Sequence, residues 1–145
     1  MKYRRAIESD IETIIQLQKE SFPDEYPNIS YQMSSKNYRI YVACDEEEII
    51  GYVLYQVIDD EGEVYFFTVK NEYRGKKIGQ NLLDFSLNEL RKEKIKKVTL
   101  ETRASNVVAQ KIYEKSGFVN VSVRIRYYTD NQEDAIIYVW EDKTI

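Results

Sequence analysis

The 145 residues carry 43% apolar and 32% charged side chains, the make-up of a single soluble globular domain over 1–145 rather than of a disordered chain. Histidine is absent and Cys44 is the one cysteine, which excludes Ser-His-Asp and Cys-His triads, zinc fingers and disulfide frameworks and fits a reducing, cytoplasmic setting. With 21 basic against 25 acidic residues the net charge is −4, and no apolar run reaches membrane-spanning length, so neither nucleic acid nor membrane is expected as a partner.

In chain order, Tyr3 to Ile7 reads as a short strand. Ser9 with Glu12 three residues on forms a capping-box pattern that opens a helix through Ile11, Ile14, Ile15 and Gln18 and stops near Phe22-Pro23. Asp24 to Ser35, with Pro27, Asn28 and three serines, is a loop with room for one short helix. Tyr38 to Cys44 and Ile49 to Ile58 are strands joined by a short polar connection, and Glu61-Gly62 turns the chain into a third strand, Val64 to Val69. The thirteen tyrosines fall mostly in such strands and read as half-buried sheet surface.

After Val69 the period changes. Ile78, Leu82 and Phe85, with Leu83, Leu87 and Leu90, recur at three- and four-residue spacing and predict a helix over Gly75 to Glu93. Val98 to Thr102 is a strand, Asn106 to Ser116 a helix closed by Gly117, Phe118 to Tyr127 an alternating strand and Ala135 to Trp140 the last one. A strand, long helix and strand between Val64 and Thr102 make a crossover that pairs the two strands in parallel. The fold class is therefore α+β, a mixed and mostly antiparallel sheet with helices on both faces.

Three features carry chemistry. The junction Val69 to Gly79 runs from a strand through the basic, glycine-containing turn Arg74-Gly75-Lys76-Lys77 into a long helix, where free N–H groups and cations would cradle phosphate; an ordinary solvated turn has the same composition. Glu101 lies in a strand covered on both faces, where a carboxylate is costly. By alternation it shares a face with Thr99 and Arg103, and taken alone it reads as an ion pair with Arg103 or as contact with solvent at a sheet edge. Tyr113 sits one turn beyond Ala109 on the following helix and, taken alone, is a core residue.

Arg74-Gly75-Lys76-Lys77-Ile78-Gly79 resembles the acetyl-CoA-binding signature of the GNAT N-acetyltransferases, with Lys77 where the signature has its middle glycine. Leu100 to Asn106 and Ile112 to Phe118 are similar to the family's second block. Arg124 to Tyr128 followed by Glu133 to Ile137 resembles the RimI branch and the archaeal and eukaryotic N-terminal acetyltransferases in particular. The resemblance implies a splayed parallel strand pair holding acetyl-CoA, with the pantetheine arm along Phe67, Thr68 and Val69. The pyrophosphate would lie over Arg74, Gly75, Lys76, Lys77, Ile78, Gly79 and Gln80, and Asn106 would touch the cofactor. It further implies Glu101 as base and Tyr113 as the acid that protonates the departing thiolate, without a metal. Phe22, Pro23, Asp24 and Tyr26, with Tyr127 and Tyr128, would flank the acceptor.

The implied chemistry is consistent with elementary acidities. A phenol near pKa 10 can donate to a thiolate whose conjugate acid lies near about 8.5, whereas a carboxylate near about 4.3 needs an ordered water to take a proton from an ammonium. An α-amine near about 8 is roughly one-tenth neutral at pH 7 and a lysine near about 10.4 hardly at all, so a protein or peptide N-terminus is the easier acceptor. A small amine, a polyamine or a protein lysine is the alternative acceptor, against which the Arg126-Tyr127-Tyr128 run argues. The joint presence of Glu101 and Tyr113 argues against a non-catalytic acyl-CoA sensor. Cys44 reads as a buried filler, so direct transfer is expected.

Overall fold

Strands buried on both faces need a layer on each side, and the central strands of this chain are of that kind. The computed structural model describes residues 1–144. Among them the elements are β1 (Lys2–Arg5), a 3-10 turn (Glu8–Asp10), α1 (Ile11–Ser21), α2 (Ile29–Ser34), β2 (Tyr38–Asp45), β3 (Glu48–Ile58) and β4 (Glu61–Val69). A second 3-10 turn (Asn71–Tyr73), α3 (Ile78–Lys92), β5 (Lys97–Arg103), α4 (Val107–Lys115), β6 (Val119–Arg124) and β7 (Ala135–Glu141) follow. The seven strands form one sheet in the order β1-β2-β3-β4-β5-β7-β6. Every pairing is antiparallel except that of β4 with β5.

Side-chain alternation distributes β2 and β3 between two cores. Ile40, Val42, Tyr52 and Leu54 pack with Ile14, Leu17 and Ile29 of α1 and α2. Tyr41, Ala43, Val53 and Tyr55 pack on the other face with Leu82, Leu83, Leu87 and Leu90 of α3. Tyr41, Tyr52, Tyr55 and Tyr138 are fully buried, which corrects the expectation of half-buried sheet tyrosines. The helices supply partners for three of these hydroxyls: Tyr55 shares a hydrogen bond of 2.6 Å with Ser86, Tyr138 donates to Glu114 at 2.7 Å, and Tyr52 donates to Gln18. Pairing of this kind offsets the cost of burying a hydroxyl.

The functional opening comes from two irregularities. Parallel pairing of β4 with β5 is limited to Glu61–Lys97, Gly62–Val98 and Glu63–Thr99, and no rung joins the strands beyond Glu63. In the register with β3, Phe66 faces Leu54 while Val64 faces Tyr55, so Tyr65 is one residue too many on β4. Such a bulge bends its strand and increases its twist. The splayed pair implied by the resemblance is present.

Several expected boundaries move. The Ser9/Glu12 capping box does not form; instead Asp10 accepts the Ile7 N–H at 2.8 Å and is gripped by Arg4 at 2.7 and 3.0 Å. Burial pushes the Asp10 carboxyl up, but the Arg4 hydrogen bond, the Ile7 N–H and the Arg4 charge outweigh it and hold its pKa below the usual range. The turn between β3 and β4 is at Asp59-Asp60, with Asp59 at φ 55°, and Glu61-Gly62 already belongs to the strand. The loop after α1 does contain a short helix, α2, capped by Asn28, whose side chain accepts the Tyr31 N–H at 3.1 Å. β6 ends at Arg124, leaving Tyr127 and Tyr128 outside the strand, and its residues are exposed throughout.

Candidate active site

The turn between β4 and α3 places the expected phosphate-binding residues. α3 begins at Ile78 rather than Gly75, because Gly75 (φ 79°) and Lys77 (φ 64°) both stand in the left-handed region and delay the helix. No side chain caps α3, so the first-turn N–H groups of Ile78, Gly79 and Gln80 lack an intrahelical acceptor and are available to an anion. Arg74 folds back and donates from Nε to the Val69 carbonyl at 3.1 Å, closing the turn onto the end of β4. Tyr73 ties the same turn to the β2–β3 hairpin by donating to Asp45 at 2.8 Å.

A cavity of about 910 Å³ opens along this turn and between the end of β4 and α4. It is lined by Phe67, Thr68 and Val69 of β4, by Arg74, Gly75, Lys77, Ile78, Gly79 and Gln80, and by Asn106, Ala109, Ile112 and Tyr113. Of the expected cofactor contacts, Lys76 alone does not line it; its ammonium stands 5.6 Å from the centre of the Tyr73 ring. The Gln80 amide is held by Ser116 at the end of α4, so this residue offers its backbone N–H rather than its side chain. Lys111 and Lys115 also line the cavity, and sequence reasoning missed them. Their spacing of four along α4 was the available signal. Four cations against Asp84 make the cavity locally basic in a chain of net charge −4.

Tyr113 is positioned by the way α4 stops. Gly117, at φ 100°, lets the Phe118 N–H return to the Tyr113 carbonyl at 3.0 Å and its own N–H to that of Glu114 at 3.1 Å. The Tyr113 ring is then fixed by Phe118, Phe67 and Tyr138, with centroids 5.7, 6.0 and 6.0 Å away. It is 7% exposed, and burial, with a smaller effect from Tyr128, pushes its hydroxyl well above the ordinary phenol value. The hydroxyl is therefore protonated, and a potential donor, at any physiological pH. Tyr113 is both core residue and cavity wall.

Glu101 is on the opposite face of β5. It pairs with Arg124 of β6 at 3.3 Å and not, as the alternation allowed, with Arg103. Hydrogen bonding to Glu101 and its charge raise the pKa of the Tyr127 hydroxyl; burial, and less strongly the Glu101 charge, raise that of Tyr128, with Arg103 opposing. The Arg124 guanidinium also lies 5.4 Å from the centre of the Tyr127 ring, which is 5.2 Å from that of Tyr128, so the expected hairpin tyrosines stand beside this ion pair. Glu63, opposite Thr99 across the parallel pair, belongs to the same group: burial and then the Glu101 charge raise its pKa, with Arg124 opposing. It was missed because Glu61-Gly62 read as a turn. On the α1 side, Phe22 packs against Phe66 at 5.1 Å and Ser21 bonds to Thr68 at 2.9 Å, so the end of α1 abuts β4. Pro23 and Asp24 are exposed, and Tyr26 is 89% exposed.

A basic helix-start cradle, a cleft running from it between β4 and α4, and a buried phenol on its wall define a group-transfer enzyme that takes a long anionic donor. The chain belongs to the GNAT acetyltransferase family, whose model matches residues 10–118. It is 28% identical over 145 residues to an N-alpha-acetyltransferase of Saccharolobus solfataricus, covering 90% of this chain and 87% of that protein. It is 36% identical over 92 residues to the [ribosomal protein bS18]-alanine N-acetyltransferase of Escherichia coli, 62% of each chain. The crystal structure of the ribosomal-protein-S18-alanine N-acetyltransferase from Escherichia coli superposes with a TM-score of 0.85 at 23% identity, over 99% of this chain and 97% of the other. The protein is an N-acetyltransferase of the GNAT fold, and enzymes of this family use acetyl-CoA.

The cavity suits that donor, with N–H groups and cations for its phosphates and Phe67, Val69, Ala109 and Ile112 for an apolar arm. Lys77 provides a direct test. A left-handed lysine costs roughly 1–2 kcal/mol that a glycine would not, offset in part by glycine's greater freedom in the unfolded chain. Lys77→Gly is expected to raise the melting temperature of the ligand-free protein by about 2–4 °C. Loss of the cation should weaken acetyl-CoA binding about two- to tenfold. Thermal denaturation and titration calorimetry check the two effects independently.

Proposed function

We propose that this protein, acting as one domain over 1–145, transfers the acetyl group of acetyl-CoA directly to the free N-terminal amine of a protein or peptide. The observation that carries the proposal is the cluster on the face of β5 away from α4, where Glu101 pairs with Arg124 at 3.3 Å and the Arg124 guanidinium lies 5.4 Å from the centre of the Tyr127 ring, itself 5.2 Å from that of Tyr128. Acetyl-CoA supplies an acyl group already activated as a thioester, held by the turn Arg74 to Gln80 and by Phe67, Thr68, Val69 and Asn106. The protein then has to hold a neutral amine, move its proton and protonate the sulfur. Glu101 receives the amine's proton through water, and Tyr113 gives its hydroxyl proton to the departing thiolate. Phe22, Pro23, Asp24 and Tyr26 approach the acceptor from the α1 side and Tyr127 and Tyr128 from the hairpin. The names carried by the relatives support an N-terminal acceptor, with a ribosomal protein among the candidates.

Direct transfer is supported by the position of Cys44. It is 2% exposed among the α1 and α2 core residues and does not line the cavity, so it can carry no acetyl intermediate. Buried free thiols of this kind suit the cytoplasm, where we place the enzyme. No helix among the described residues is long and apolar enough to cross a membrane.

Mass spectrometry of acetyl transfer to peptides with varied first residues tests the proposal, beside the same peptides blocked at the N-terminus but containing lysine, and a polyamine. Labelling of free α-amines with the blocked peptides silent is the expected result. Labelling confined to lysine or polyamine would overturn the N-terminal assignment.

A further inference from the structure

The β6–β7 connection, residues 125–134, carries Tyr127 and Tyr128 and lies at the exposed edge of the sheet. A ten-residue segment there needs something to hold it, and the contacts converge on one side chain that the proposed chemistry does not use. Arg103, the last residue of β5, donates from Nη1 and Nη2 to the two carboxylate oxygens of Asp130 at 3.1 and 3.0 Å. Its Nη1 also reaches Glu133 at 3.4 Å, and its guanidinium carbon lies 3.9 Å from the centre of the Tyr128 ring. One planar group thus grips the loop at Asp130 and Glu133 and supports the face of a tyrosine, a combination that lysine cannot reproduce.

The next residues extend the connection toward the cofactor. The Ala104 N–H donates to the Asp134 carbonyl at 3.0 Å and the Ser105 N–H to the Glu133 carboxylate at 2.6 Å. Those Ser105 bonds, with Asn131 and Arg103, push the Glu133 pKa down to about 2, so the tether stays charged at working pH. Asn106 follows immediately, caps α4 by accepting the Ala109 N–H at 3.2 Å, and lines the cavity.

We propose that Arg103 is a positioning residue for the acceptor: it fastens the β6–β7 connection to the start of α4 and so sets Tyr128 over the amine site at a fixed place relative to the cofactor cavity. This rests on the hairpin tyrosines contacting the acceptor. The Arg103 side chain is 37% exposed, so its ion pairs contribute little to global stability and placement is the larger effect.

The test is steady-state kinetics of Arg103→Ala, Arg103→Lys, Tyr128→Ala and the Arg103→Ala/Tyr128→Ala double variant with a free-N-terminus peptide, beside acetyl-CoA affinity by calorimetry. Both Arg103 variants are expected to raise the peptide KM about tenfold or more, with kcat changed less than about threefold and the acetyl-CoA dissociation constant less than about twofold. The double variant should be no worse than Tyr128→Ala alone, because the two residues act through one contact. An unchanged peptide KM in Arg103→Lys, additive losses in the double variant, or a parallel loss of acetyl-CoA affinity would each overturn the assignment. A peptide KM indifferent to Tyr128→Ala would instead overturn the acceptor reading beneath it, and so separates the two failures.

Discussion

Tyr113→Phe is expected to lower kcat for acetyl transfer by about 100-fold or more while the dissociation constant for acetyl-CoA moves less than about twofold. The substitution removes one oxygen and leaves the ring in its setting of Phe67, Phe118 and Tyr138, so the cavity wall that meets the donor keeps its shape. What is lost is the proton for the departing thiolate. Burial makes the Tyr113 hydroxyl a weaker acid than a free phenol. The same dry surroundings disfavour a thiolate beside it and raise the pKa of the conjugate thiol as well, so donor and acceptor remain matched. Because the hydroxyl stays protonated, the wild-type rate should follow the acceptor amine upward with pH and show no decline from Tyr113 up to pH about 10. Glu101→Gln keeps the size and hydrogen-bonding capacity of the residue but not its charge, and should cost about tenfold or more in kcat with cofactor affinity intact. Turnover near wild type in either variant would withdraw that residue's role.

The layers, the antiparallel run β2-β3-β4 and the crossover to β5 were legible because burial on both faces writes itself into continuous or alternating apolar runs. The cofactor turn was legible because a phosphate cradle needs glycine and cations in a short space, and all but Lys76 of the residues expected there do line the cavity. Where α3 starts was hidden, since lysine is a good helix former and nothing local marks Lys77 as left-handed. The start of the first helix was misread for a tertiary reason: Arg4, arriving on β1, holds Asp10, whose carboxylate closes a 3-10 turn on the Ile7 N–H, and no side chain caps α1. Gly62 looked like a turn signal but sits inside β4 where β5 comes near, a Cβ there meeting Val98 at 3.4 Å. Reading it as a turn removed Glu63 from view. The alternation of β6 ran on through Tyr127, whereas the strand ends at Arg124. The segment beyond it is captured by long-range partners, Asp134 accepting the Arg126 N–H at 2.9 Å and Arg103 gripping Asp130. That capture also explains why Glu101 pairs with Arg124: Arg103, its neighbour on the same face, is already engaged by the loop.

Gly51→Ala should be among the most damaging single-carbon additions to this chain, lowering stability by about 2–3 kcal/mol and the melting temperature by about 6–10 °C. Gly51 sits in β3 opposite Val69, and an added Cβ would lie 2.8 Å from the Thr68 carbonyl oxygen and 3.1 Å from the Val69 side chain. The first obstacle is backbone, which cannot rotate away, so β4 itself must move. Thr68 and its neighbours Phe67 and Val69 line the cofactor cavity, and Thr68 is fixed from the other side by Ser21 at 2.9 Å. Acetyl-CoA affinity should therefore fall with stability, by about tenfold, although Gly51 itself does not line the cavity. Gly75→Ala provides the contrast. Nothing lies within 4 Å of a Cβ there, and its cost is the backbone strain at φ 79° alone, about 1–2 kcal/mol. Thermal denaturation of both variants with and without acetyl-CoA separates the two mechanisms. If Gly51→Ala melts with the wild type and binds acetyl-CoA as tightly, the close approach of β3 to β4 is not what sets the position of the cofactor strand.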